Sequence, residues 1–171
     1  MKIQKIVDLC KRSGQMYITK AEDCQWIGNG YAIYPLYDLP ELTAEELCTI
    51  YGITEEQQDK MILNDKSVSE YGGIDFGPIK ADEEPAEVVK LGLYYGGIRF
   101  ILLQSKEGIS FVPGIYLSPY KEEIQFWRRV SSSGIEYFVL TAGMFVVGVV
   151  FPEIGIRANL AAEIKEIAGR L

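Results

Sequence analysis

The chain contains no histidine. This removes imidazole general bases, Ser–His and Cys–His nucleophile pairs, and every metal site that needs an imidazole ligand. Cysteine is scarce. Cys10, Cys24 and Cys48 show no CxxC spacing, which argues against a zinc site or a redox dithiol. An odd number of unclustered thiols fits a reducing compartment, so a cytoplasmic location is expected. Long apolar runs are missing as well. The longest uncharged stretch, Tyr137 to Pro152, is shorter than the roughly 20 residues of a spanning helix, and Ala142-Gly143 interrupts it. No membrane association is expected from it. Met1 to Gly14 mixes Lys, Asp and Arg with its apolar positions, unlike a secretory signal. Neither GxGxxG nor GxxxxGK[ST] occurs, which leaves no phosphate-binding loop of those kinds.

What is present describes a globular chain. Its 171 residues are 48% apolar and 24% charged, close to the average for folded domains. The net charge of −7 excludes a uniformly basic nucleic-acid coat, but the charge is uneven. Between Tyr37 and Lys90 stand 14 acidic and 4 basic residues. Positive charge collects near Lys11 and Arg12 and around Arg128 and Arg129.

Periodicity sets the local expectations. Ile3, Ile6, Val7 and Cys10 recur at helical spacing, with Lys11 and Arg12 in the last turn and Gly14 suited to the cap. Met16 to Lys20 reads as a strand and Ala21 to Cys24 as a turn. Gln25 to Leu36 is strand-like, broken at Asn29-Gly30 by a hairpin turn or a bulge. Thr43-Ala44-Glu45-Glu46 and Thr54-Glu55-Glu56-Gln57 are capping boxes, predicting helices to about Tyr51 and about Leu63. Asn64 to Pro85 reads as a long polar loop, mobile or ordered by a partner. Strands are expected over Val88 to Tyr94, Ile98 to Gln104, Ile109 to Val112, and in a hairpin over Tyr137 to Pro152. Ser118-Pro119, followed by Ile124, Trp127 and Val130, predicts a helix up to Ser131. Asn159 caps a last helix with Leu160, Ile164, Ile167 and Leu171 on one face.

Two internal matches stand out. Tyr71 to Phe76 is similar to Tyr95 to Phe100. Over a longer span, Ser13-Gly14 to Tyr17 aligns with Ser133-Gly134 to Tyr137, and Tyr34-Pro35 with Phe151-Pro152. Each longer copy reads helix, Ser-Gly, hairpin, Pro, helix, and both first helices end in basic residues. The expected fold class is therefore α+β, antiparallel sheet with packed helices. It forms one domain over 1–171, with a pseudo-two-fold duplication of halves 1–60 and 115–171, joined by 61–114, as its open alternative.

The segment Gln25-Trp26-Ile27-Gly28-Asn29-Gly30-Tyr31-Ala32-Ile33-Tyr34-Pro35-Leu36 resembles one found in small uncharacterised proteins of Gram-positive prophages. The resemblance covers about the first 60 residues. It implies a cytoplasmic phage accessory role and carries no activity with it. The repeated helix-on-sheet arrangement is similar, in architecture alone, to DNA sliding-clamp domains.

Three functional readings follow. Trp26, Tyr31, Tyr34 and Tyr37 carry polar tips on aromatic bodies, suited to binding another protein, although the same residues can wall a core. Lys11, Arg12, Arg128 and Arg129 could contact nucleic-acid phosphates, although cations also complement helix C-termini. Paired carboxylates such as Glu45-Glu46, Glu55-Glu56 and Glu122-Glu123 could serve a His-independent enzyme, although helix N-termini favour acids without any function. The leading expectation is a non-catalytic interaction protein with an unidentified protein partner, in which homo-oligomers are one option. Neither a catalytic residue, nor a metal, nor a cofactor is expected.

Overall fold

The structure, a computed structural model, describes residues 1–65 and 73–155. The helix expected around Asn159 lies outside them. Helix α1 (Ile3–Ser13) buries Ile6, Val7, Leu9 and Cys10, the stripe its periodicity predicts. It ends at Gly14, whose φ of 68° is left-handed and cheap only for glycine. Strands β1 (Gln15–Ala21) and β2 (Cys24–Gly28) form a hairpin, and β3 (Ala32–Pro35) returns antiparallel to β2. Asn29-Gly30 is thus a turn between two strands. Asn29 holds it by accepting from the amides of Tyr31 and Ala32, at 3.0 and 2.9 Å.

Helix α2 (Ala44–Ile50) carries the first capping box: Glu46 N donates to Thr43 Oγ1, and Thr43 N to Glu46 Oε2. The second box is also formed, but α3 (Glu55–Gln58) is a single turn and does not reach Leu63. Residues Ile62–Asp65 instead form β4, parallel to β1. The open edge of β1 offers that segment four ladder positions, and strand pairing overrides local helix preference.

The remaining strands are β5 (Pro85–Tyr95), β6 (Ile98–Ser105), β7 (Gly108–Pro113), β8 (Gln125–Val130), β9 (Glu136–Ala142) and β10 (Phe145–Val150). A 3-10 helix, Gly114–Leu117, follows β7. The expected helix from Ser118 to Ser131 is not there. Its second half is β8, which pairs with β9 over its whole length and with β5 at Pro85 and Ala86. Flanked on both sides, a segment rich in aromatic and β-branched residues gains more from ladders than from a helical stripe.

All ten strands join in one sheet, in the order β4-β1-β2-β3-β10-β9-β8-β5-β6-β7, and only the β1–β4 pair is parallel. The α+β class is therefore observed. Alternation sends neighbouring side chains to opposite faces. On one face α1 and α2 cover Met16, Ile27, Tyr34, Phe138 and Leu140. On the other, Ile74 and Phe76 pack with Trp26, Ile33, Tyr137 and Val139. A third cluster, Phe100, Leu102, Ile109 and Phe111, belongs to β6 and β7.

A duplication is not shown. Gly14 and Gly134 share the left-handed conformation, but a strand precedes the second Ser-Gly where a helix precedes the first. The shorter match also parts ways. Ile98 to Phe100 opens β6, whereas Ile74 to Phe76 is irregular, and Tyr71 and Gly72 lie outside the described residues.

Gly148 tests how tightly the centre is packed. A Cβ there would lie 2.1 Å from the Tyr120 hydroxyl and 3.2 Å from both Ile33 O and Leu140 Cδ1. Tyr120 donates to Val147 O at 2.6 Å, so its ring cannot withdraw freely. Gly148→Ala is expected to cost about 1–3 kcal/mol in a urea titration.

Candidate functional site

The aromatic segment divides between core and surface. Trp26 lies on β2 and is buried. Its indole N–H donates to Ala21 O at 3.0 Å, and its ring packs on Phe76 with centroids 4.7 Å apart. Tyr34 on β3 is equally buried, its hydroxyl donating to Tyr116 O at 2.8 Å. Burial holds the Tyr34 phenol well above the usual tyrosine range, with the neighbouring phenol of Tyr120 adding to the effect. Tyr31 and Tyr37 are both half-exposed, but they sit at opposite ends of β3. Tyr31 O accepts from Phe151 N, whereas the Tyr37 hydroxyl donates to Val146 O at 2.7 Å. The four strand residues of β3 stand between them, about 13 Å of extended chain, so they form no common platform.

Tyr37 instead adjoins a feature the sequence reading missed. The β9–β10 hairpin turns at Gly143, whose φ is 60°, and exposes Met144 and Phe145 at 91% and 72%. Val146, one residue further on and contacted by Tyr37, is buried again. The available signal was compositional: two large apolar residues directly after a turn glycine, where solvent-facing polar residues are the rule.

The four basic residues also separate. Lys11 and Arg12 occupy the last turn of α1 and are exposed. Arg128 and Arg129 lie on β8, not at a helix end, and consecutive strand residues face opposite sides. Arg128 pairs with Glu136 at 3.0 Å and with Glu107 at 3.2 Å. Arg129 has a side chain only 7% exposed. Its Nε and Nη2 donate to the two carboxylate oxygens of Glu83 at 3.0 and 2.8 Å. Nη1 donates to Asp75 O and Gly77 O, and Nη2 also to Pro78 O, all between 2.9 and 3.0 Å. The guanidinium thereby pins residues 75–83 to the sheet. This part of the acidic middle is irregular chain, as expected from the sequence, and it lies over the sheet. Among its acids, Glu83 and Asp75 engage Arg129, and Glu84 engages Lys106.

Asp75 feels opposing effects. Burial pushes its carboxyl up, but hydrogen bonds from Lys80 and from Gly77 N, with the charges of Arg129 and Lys80, outweigh it and hold the carboxyl below its ordinary value. The thiols move the other way. Burial raises all three, Cys10 to about 12 with the help of nearby Cys48, so none is a ready thiolate. The acidic pairs act locally: Glu46 caps α2, and Glu56 pairs with Lys60 one turn later. Among the described residues, no group of three Cys, Asp or Glu is placed to hold a metal ion, and no helix is long and apolar enough to cross a membrane.

Searches of family models, curated proteins and solved structures find no match to this chain.

Arg129→Met keeps the aliphatic stem but strands the Glu83 carboxylate and three carbonyls. A loss of about 3–5 kcal/mol is expected by chemical denaturation. The depressed Asp75 carboxyl contributes stability that is fully present above the unfolded aspartate value of about 3.9 and lost as pH falls through the lower folded value. Asp75→Asn should accordingly lower stability near neutrality and flatten its decline with acid. An unchanged acid limb in urea titrations across that range would contradict the assignment.

Proposed function

We propose that this protein is a non-catalytic interaction protein that engages a protein partner through the β9–β10 hairpin tip and Tyr37. The carrying observation is the exposure of Met144 and Phe145 at the end of a hairpin whose strands are otherwise buried. Leaving two large apolar side chains in water forgoes about 1.5–3 kcal/mol each relative to burial. Neighbouring exposed apolar side chains of this kind mark contact sites. Tyr37 adds an aromatic surface beside the tip, tethered by its hydroxyl to the same strand.

Three unpaired thiols support a reducing, cytoplasmic setting for this role. The likeness of the Gln25 to Leu36 segment to prophage proteins supports an accessory role in a phage gene module. The nucleic-acid reading has less geometric support. Of its four residues, Arg128 and Arg129 are engaged with carboxylates, which leaves Lys11 and Arg12.

Met144→Ser/Phe145→Ser is the direct test. Both sites are exposed, so the variant should keep the wild-type denaturation midpoint, with a stability change within about 0.5 kcal/mol. The expected outcome is a stoichiometric partner, isolated from host extract and confirmed by calorimetry with purified components, whose affinity falls at least about tenfold in the variant. Sedimentation of the protein alone reveals whether that partner is a second copy. A partner bound equally well by the variant would overturn the role of the tip. Duplex DNA binding that weakens steeply with salt would favour the nucleic-acid reading instead.

A further inference from the structure

At the other end of β3, away from the hairpin tip, lies a cavity of about 270 Å³. The turn between β2 and β3, the end of α1, the start of β6 and the chain after β10 line this half-open cavity, and Arg12, Asn29, Tyr31, Phe100, Tyr116 and Glu153 are among its lining residues. Its volume falls just below the range of about 300–1,000 Å³ typical of drug-sized ligands, so its occupant would be smaller.

Four features of this cavity are left incomplete by the described residues. Asn29 is 1% exposed, and its Oδ1 is spent on the turn, yet its Nδ2 has no hydrogen-bond partner among the described residues. A buried, unpaired amide donor is costly and rare in native proteins. Arg12 makes no ion pair among the described residues, although the cavity brings it to the same walls as a carboxylate. Among the described residues that carboxylate, Glu153, accepts only from the nearby Gly155 amide, at 3.4 Å. Tyr31 stacks on Tyr116 with centroids 5.8 Å apart and planes 6° apart, and it remains half-exposed. With Phe100, Ile98 and Pro113 the pair makes an apolar wall.

We propose that this cavity binds a small zwitterion with an apolar body, an α-amino acid carrying an aromatic or large aliphatic side chain. Its carboxylate accepts from Arg12 and from the Asn29 amide. Its ammonium faces Glu153. Its side chain lies against Tyr31 and Phe100. A simple anion would leave Glu153 unanswered, and a simple amine would leave Arg12 and Asn29 unanswered. Only a ligand bearing both charges on an apolar body completes the whole set.

Calorimetry or ligand-observed NMR on the full chain tests this with three probes. L-phenylalanine carries both charges, 3-phenylpropionate lacks the ammonium, and phenethylamine lacks the carboxylate. L-leucine and L-tyrosine extend the panel to other side chains. Saturable binding of at least one amino acid is expected, with 3-phenylpropionate and phenethylamine each weaker than L-phenylalanine by about tenfold or more. Arg12→Ala and Glu153→Gln should each weaken the amino acid by a similar factor. Asn29→Asp keeps the acceptor that holds the turn and removes the donor, so it should weaken binding while the thermal midpoint reports whether the turn survives. No binding by any amino acid of the panel at concentrations of about 10 mM would overturn the proposal. So would equal binding of all three phenyl probes, or affinity indifferent to Arg12→Ala and Glu153→Gln, two exposed substitutions that leave the core untouched.

Discussion

A single buried guanidinium determines how the back of the sheet is closed. The front face is covered by α1 and α2 in the ordinary way, apolar stripe against apolar strands. The opposite face has no helix over it among the described residues. It is covered by irregular chain, which brings unpaired carbonyls and acidic side chains onto Trp26, Tyr137 and Val139. Such a cover holds only if its polar groups are satisfied. Arg129 does this by spending its donors on one carboxylate and three carbonyls. The charge is buried, but it is paired and bonded in the fork geometry that suits arginine and that a lysine cannot reproduce.

The same logic gives the net acidity of the middle segment a structural meaning. Glu83 and Asp75 meet Arg129, and the apolar Ile74 and Phe76 on either side of Asp75 pack with Trp26 and Tyr137. Tyr137 contributes a second tether, its hydroxyl accepting from Asp75 N at 3.0 Å. Charge and apolar burial therefore alternate along one short stretch and act on the same sheet face. The two surfaces proposed for binding lie elsewhere, at the two ends of β3.

Much of the fold was legible because its signals are local. The apolar stripe and glycine cap of α1, the Thr43 capping box, and the β5–β6–β7 and β9–β10 hairpins all follow from spacing and turn chemistry within a few residues. Where the deciding interaction was distant, the reading failed. Ile124, Trp127 and Val130 have helical spacing, but β8 is a strand because β9 and β5 flank it. Ile62 and Leu63 looked like the end of a helix, but the open edge of β1 claimed them. The candidate residues divide in the same way. Trp26 and Tyr34 look like interface aromatics until the two sheet faces are known, and both are core. The Arg128-Arg129 pair reads as a basic patch until alternation on a strand sends the second guanidinium inward. Met144 and Phe145 passed as part of a buried hairpin, because nothing local says where its apolar residues cease to be covered.

The order of strands at the centre of the sheet has a consequence for how the chain is made. β3 finds its second neighbour in β10, with Ile33 opposite Val149, more than a hundred residues later. Until the ribosome has delivered that last hairpin, the amino-terminal strands present an open edge and an uncovered apolar surface. Closing so long a loop is entropically costly and slow. The nascent chain is thus most prone to mispairing, and to capture by chaperones, until β10 has been made and has docked on β3.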